Sequence, residues 1–238
     1  MPAGMTTSPM LVCYGGTFDP VHNGHLAVAR TVRDALSAQV ALLPAHDPPH
    51  KGPTRADAVH RAGMLDLAVN GEPGLCVDRR ELGRKGPSWT VDTLTELRSE
   101  LGIEAPIAWL IGADSLLQLT SWHRWRELFE LAHILVVDRP GAAVEANALR
   151  MQAPEVLAEI MPRWRDPGQL ADASCGGFAC VPMPALRPES STELRRRIRD
   201  GEPWQDWVSP AVAAYIIHHG LYQPAAGILL TPSSSDRP

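Results

Sequence analysis

Short apolar runs alternate along this chain with longer stretches in which apolar positions recur every three or four residues. The first run, residues 10–14, is closed by Gly15 and Gly16 and followed by a helical pattern over 24–36. That order predicts strand, glycine turn, helix. Residues 40–43 read as a second strand closed by Pro44, and a proline-rich loop through Pro53 leads to a helix around 56–69. A short strand is expected near Cys76, a helix over about 90–101, and a buried strand over 107–111. Helical pieces follow Ala113 and Trp122, then a strand over 133–137 and an alanine-rich helix over 142–160. The last strand is expected at 178–181, ahead of helices near 191–200 and 210–219. Strands alternating with helices predict an α/β fold: a doubly wound, Rossmann-like parallel sheet with helices on both faces. Residues 161–177, rich in Pro, Gly and charge, read as peripheral, and no internal repeat is visible.

Composition narrows the class. The chain has 238 residues, 45% hydrophobic, enough for one substantial core. A single domain over 10–222 is expected, with residues 1–9 and 224–238 as flexible termini; the latter end in Pro-Ser-Ser-Ser-Asp-Arg-Pro, a composition that does not pack. The formal charge of −5 argues against a broad nucleic-acid surface, so an anionic ligand has to be met by local groups. The four cysteines lack C-x-x-C spacing, no apolar run reaches the roughly 20 residues of a membrane span, and the first nine residues lack a signal-peptide pattern. These features predict a reduced, cytoplasmic protein without membrane partners.

In open α/β sheets, ligands bind beyond the carboxyl ends of the strands. The turn after the first strand reads Gly15-Gly16-Thr17-Phe18-Asp19-Pro20-Val21-His22-Asn23-Gly24-His25-Leu26. Two glycines let backbone approach a ligand, the helix that begins near His22 offers free N–H groups and a dipole to phosphate, and Thr17 adds a hydroxyl. His22 and His25, three apart, share one helix face, with Gly24 leaving room between them. Neither a Walker loop nor a G-x-G-x-x-G fingerprint is present. Besides phosphate binding, the pair fits a zinc site, with Asp19 or Cys13 folding back as third ligand, or a pair of cap or core histidines.

The segment His22-Asn23-Gly24-His25 resembles the H-x-G-H signature of a nucleotidyltransferase superfamily. Five further stretches, in order, resemble bacterial nicotinate-nucleotide adenylyltransferases within it: Pro48-Pro49-His50-Lys51, Gly86 to Leu94, Gly112-Ala113-Asp114-Ser115, Trp122-His123-Arg124-Trp125 and Ser190 to Arg195. Phosphopantetheine and cytidylyl transferases share only the first signature. The resemblance implies an enzyme of NAD biosynthesis that moves an adenylyl group from ATP to nicotinate mononucleotide, giving deamido-NAD and pyrophosphate. It implies direct in-line attack without a covalent intermediate, and Mg²⁺ bound mainly through ATP phosphates.

The resemblance also distributes roles. Gly15, Gly16, Thr17, Phe18, His22 and His25 would meet ATP, with His22 and His25 donating to its phosphates. Ser191, Thr192 and Arg195, at a helix start, would clamp the departing pyrophosphate; taken alone, Ser190 and Glu193 read as a capping box and Arg196, Arg197 and Arg199 as a solvated face. Glu189 departs from the family pattern, and its carboxylate would repel phosphate unless turned away. Thr90 and Trp122 would recognise the nicotinate, against the alternative of a helix cap and a Trp122–Trp125 core face. Asp114, just past a strand, is placed to receive ATP ribose hydroxyls, or else is a solvated loop carboxylate. Lys51 and Arg139 sit in loops on the ligand side of the sheet, as candidate contacts to ATP and to the mononucleotide, or as plain surface charge. A catalytically silent nucleotide-binding module would share the fold, and the completeness of this set favours an enzyme.

Overall fold

The computed structural model describes residues 9–46, 54–84, 86–138, 146–185 and 187–224. Lys51, Arg139 and, apart from Pro9 and Pro224, both expected flexible termini lie outside them. The elements run β1 (Leu11–Gly16), α1 (Asn23–Leu36), β2 (Gln39–Pro44), α2 (Ala58–Val69), β3 (Leu75–Val77), α3 (Thr90–Leu101), β4 (Ile107–Gly112), α4 (Ala113–Leu117), α5 (Leu128–Leu131), β5 (His133–Asp138), α6 (Ala146–Gln152), α7 (Pro154–Ile160), β6 (Phe178–Pro182), α8 (Ser191–Asp200) and α9 (Pro210–His218).

All strand pairs are parallel, in the order β3-β2-β1-β4-β5-β6. The order reverses between β1 and β4, which opens a crevice at their carboxyl ends. Successive strand residues point to opposite faces. Val40 and Leu42 therefore join a core with Leu26, Val32, Leu65 and Leu194, while Ala41 and Leu43 join another with Leu94, Trp109, Leu116 and Phe129. Each fully buried Leu or Ile contributes about 1.5–3 kcal/mol, so a charge at Leu42 or Leu43 would unfold one layer.

Two sequence expectations need correction. The helix expected over 142–160 is, within the described residues, two helices broken at Ala153: Pro154 opens α7, and its ring cannot continue the preceding turn. Residues 161–177 are docked, not peripheral. Leu170 is fully buried, Trp164 bridges to Phe178, and Arg98 donates to the Ser174 carbonyl at 2.7 Å. The composition hid a segment held by scattered anchors without periodicity. No helix among the described residues is long and apolar enough to cross a membrane.

Candidate active site

At the crevice between β1 and β4 lies a cavity of about 890 Å³. That is near the upper end of the roughly 300–1,000 Å³ range of small-molecule sites, as two substrates would require. Gly15, Gly16, Thr17, Phe18, His25, Thr90, Asp114, Trp122, Ser191, Thr192 and Arg195 all line it. Residues far apart in sequence converge here because β1, α3, β4 and α8 all present their ends to one side of the sheet.

The turn after β1 is held from several directions. A Cβ on Gly15 would lie 2.6 Å from the Trp109 ring, and one on Gly16 2.9 Å from the Phe18 ring. These glycines are thus required by packing as well as by ligand approach. Phe18 takes a left-handed conformation, φ 49°, and its ring meets Tyr14 and His25 edge-on, with centroids 5.5 and 5.0 Å apart. Thr17 keeps its hydroxyl oxygen buried without a hydrogen-bond partner among the described residues, a costly state. Its carbonyl accepts from Arg61 Nη1 at 2.7 Å.

Asp19 fastens the turn to the rest of the molecule. Its buried carboxylate accepts from the Arg55 and Ala56 amides at 2.7 and 3.0 Å and from the Tyr222 hydroxyl at 2.8 Å. These bonds occupy the oxygens that the zinc reading needed, and Cys13 is sealed in the sheet core. Among the described residues no three His, Cys, Asp or Glu side chains are grouped to hold a metal.

His22 caps α1 and His25 stands one turn in, where its Nδ1 accepts the His22 N–H at 3.3 Å. The rings stack with centroids 3.7 Å apart. His25 reaches the cavity wall, whereas His22 is 7% exposed and lies behind it. Gly24 makes this possible, since a Cβ there would approach His22 Nδ1 to 3.0 Å.

α8 closes the same side. Ser190 caps it by accepting the Glu193 N–H at 3.2 Å, Ser191 donates to the Pro20 carbonyl at 3.0 Å, and Arg195 donates to the Asp19 carbonyl. The α8 N-terminus, with its free N–H groups, is thereby fixed beside the β1 turn. Glu193, Asp200 and Glu202 take up Arg196, Arg197 and Arg199, as a solvated face would; Arg196 and Arg197 hold the Glu193 carboxyl at about 2. Glu189 pairs with Arg187, which answers the concern about its charge.

The wall also carries the aromatic residues Trp89, Trp109, Trp122 and His123. Trp89 caps α3, Thr90 is its first residue, and Trp89 faces His123 with centroids 5.1 Å apart. Trp122 lies between two short helical turns, outside any helix, yet it is partly buried and packs against the core that holds Trp125, Leu128 and Phe129, so the core alternative holds for part of its surface. Asp114 is in the first turn of α4, directly after β4. Glu81, which sequence reasoning missed, lies in the wall with its carboxylate accepting from Thr93 Oγ1 at 2.7 Å; burial foremost pushes its pKa up. Nothing in the run Arg79-Arg80-Glu81 distinguishes it from surface charge.

Comparison with known proteins agrees with this geometry. Residues 13–197 match the family model described as cytidylyltransferase-like. A probable nicotinate-nucleotide adenylyltransferase of Stenotrophomonas maltophilia is 49% identical over 217 residues, covering 89% of this chain and 96% of that protein. Another from Xylella fastidiosa is 44% identical, covering 89% and 95%. Among solved structures, a Plasmodium falciparum nicotinic acid mononucleotide adenylyltransferase complexed with NaAD shares the fold, with a TM-score of 0.68 and 17% identity over 90% of this chain and 98% of that one. The chain belongs to the cytidylyltransferase-like nucleotidyltransferases, and within them to the family of the nicotinate-nucleotide adenylyltransferases.

Proposed function

We propose that this protein transfers the adenylyl group of ATP to nicotinate mononucleotide, giving deamido-NAD and pyrophosphate, a step of NAD biosynthesis. One observation carries the reading: Thr17, His25, the α8 N-terminal residues Ser191 and Thr192, and Arg195 line the same cavity as Trp89, Thr90 and Trp122. The first group suits a polyphosphate, the second a flat aromatic acceptor. The names of its relatives support the same pair of substrates.

In this reading a phosphate oxygen of the mononucleotide attacks the α-phosphorus of ATP. The new P–O bond forms as the bond to the bridging oxygen breaks, and the electron pair leaves with pyrophosphate. The attacking oxygen is already anionic, so positioning and charge stabilisation carry the catalysis. His25 donates to the phosphates with the His22 ring stacked behind it, Thr17 and the amides of the β1 turn cradle them, and Ser191, Thr192 and Arg195 receive the leaving pyrophosphate through the α8 N-terminus. Because Ser191 donates to Pro20 and Arg195 to Asp19, their part is to position that terminus as much as to touch the ligand. Asp114 receives ATP ribose hydroxyls, and Thr90 and Trp122 hold the nicotinate ring. Mg²⁺ fits as an ion carried on the ATP phosphates, neutralising them, because the acids of the wall are either engaged, as Asp19 and Glu81 are, or isolated, as Asp114 is.

The test is pyrophosphate release from ATP and Mg²⁺ with nicotinate mononucleotide, nicotinamide mononucleotide or phosphopantetheine as acceptor. Turnover with nicotinate mononucleotide is expected. Turnover with phosphopantetheine alone would overturn the acceptor assignment, and folded protein without turnover would overturn the enzymatic one.

A further inference from the structure

The β1 turn is backed by a cation that the reaction scheme above does not use. Arg61, on α2, is fully buried, with Ala62, Met64 and Leu65 of the same helix in the core around it. Its guanidinium donates to the Thr17 carbonyl at 2.7 Å and the His46 carbonyl at 3.3 Å. These carbonyls follow the ends of β1 and β2, which are paired in register at Gly16 and Pro44. One side chain thus spans the exits of both strands.

A guanidinium cannot shed its proton in a protein, and a buried one is ordinarily matched by a carboxylate. Here both hydrogen-bond partners are neutral carbonyls, and Nε has none among the described residues. Asp19 supplies the largest favourable charge, but it also faces Arg195, whose Nη1 lies 4.0 Å from its carboxylate. The Tyr222 hydroxyl and two amides already occupy its oxygens. Asp57, one helical turn before Arg61, adds a weaker favourable charge, although its side chain caps α2. Among the described residues Arg61 and Arg195 thus share Asp19 as their principal anion, directly behind a turn with an unsatisfied buried hydroxyl. Further negative charge is what a polyphosphate brings.

We propose that Arg61 is a positioning residue for the triphosphate of ATP, fixing the β1 turn through the Thr17 carbonyl and holding behind it a positive charge that the neighbouring acids only partly offset. The inference rests on the adenylyl-transfer reading, because it takes the β1 turn to meet the triphosphate. A residue that merely packed the core would affect every ligand alike. Charge placed behind the phosphates would affect ligands in proportion to the charge they carry.

Calorimetric titration with adenosine, AMP and a non-hydrolysable ATP analogue separates these roles, using wild type, Arg61→Lys and two uncharged variants, Arg61→Gln and Arg61→Met. The uncharged variants are expected to bind the ATP analogue about tenfold or more weakly, AMP less so, and adenosine as wild type does. Arg61→Lys, which keeps the charge but cannot span both carbonyls, falls between. In turnover, KM for ATP rises while KM for the mononucleotide holds. Wild-type affinity for the ATP analogue in a folded uncharged variant would overturn the proposal, as would equal losses for adenosine and the analogue, or a Lys variant no better than Gln. A wild-type protein that binds no phosphate ligand would instead overturn the adenylyl-transfer reading itself.

Discussion

The imidazoles of His22 and His25 stand 3.7 Å apart, centroid to centroid, with 30° between their planes, yet only His25 reaches the cavity wall. The outer ring rests on the inner one, so each orients the other. Replacing His25 with Ala is expected to lower kcat by about 10²–10³, the usual loss for one preorganised donor. His22→Ala should fall in the same range. Groups that act as a unit are not additive, so the double variant should lose much less than the product of the two. Steady-state rates of all three would show this, and full additivity would mean that the rings act independently.

Trp122 lines the cavity, and the proposed function gives its indole to the nicotinate ring. Stacking on an aromatic side chain is worth about 1–3 kcal/mol per base. Trp122→Ala should therefore raise KM for nicotinate mononucleotide roughly 5- to 150-fold and leave KM for ATP nearly unchanged. A rise confined to ATP would place the adenine, not the nicotinate, against this ring.

Gly15→Ala adds a methyl group 2.6 Å from Trp109 Cζ2. Neither β1 nor β4 has room to move, since both are interior strands. Overpacking of this kind typically costs about 1–3 kcal/mol. Chemical denaturation should detect the loss, and Trp109→Phe in the same chain should recover part of it. Failure of that rescue would put the strain elsewhere.

His133 is expected to weaken the fold as the pH falls. Fully buried, it accepts the Gly177 N–H at Nδ1, 2.8 Å away, and its Nε2 lies 2.9 Å from the Ala173 carbonyl, a pattern that requires a neutral ring with its proton on Nε2. Burial foremost pushes its pKa below 6.5, opposed by the Ala173 bond and reinforced by the Arg98 and Arg165 charges. Between that lowered value and 6.5 the unfolded chain holds more protons than the folded one. The stabilisation is complete above 6.5 and is lost as pH falls through this window. The melting midpoint should drop between about pH 7.5 and about pH 5.5, with a shallower slope in His133→Gln. Equal slopes would assign the acid sensitivity to other groups.

Much of this was legible in the sequence for identifiable reasons. Fully buried strands show as unbroken apolar runs, so β1, β2, β4, β5 and β6 were found within two residues at either end. The glycine turn and the histidine pair are local patterns, and the structure keeps them local. Arg61, Asp19 and Glu81 are different. Their importance comes from partners 36 to 203 positions away for Asp19, 15 and 44 for Arg61, and 12 for Glu81, and none of them differs in type from ordinary surface charge. Burial of a charge is a property of the assembled sheet, which periodicity along the chain does not encode. The docking of residues 161–177 escaped for a related reason: one leucine, one tryptophan and a few carbonyls anchor it.

The turn that begins this site is fastened by residues that come far later in the chain: Ser191 reaches Pro20 across 171 positions and Tyr222 reaches Asp19 across 203. Synthesis delivers them in that order, at roughly 5–20 residues per second. For about ten to forty seconds, a nascent chain carries the glycine turn and both histidines without the ties that shape them. The site cannot be completed before Tyr222 is made, and a chain interrupted ahead of that residue leaves the ribosome without its final clasp.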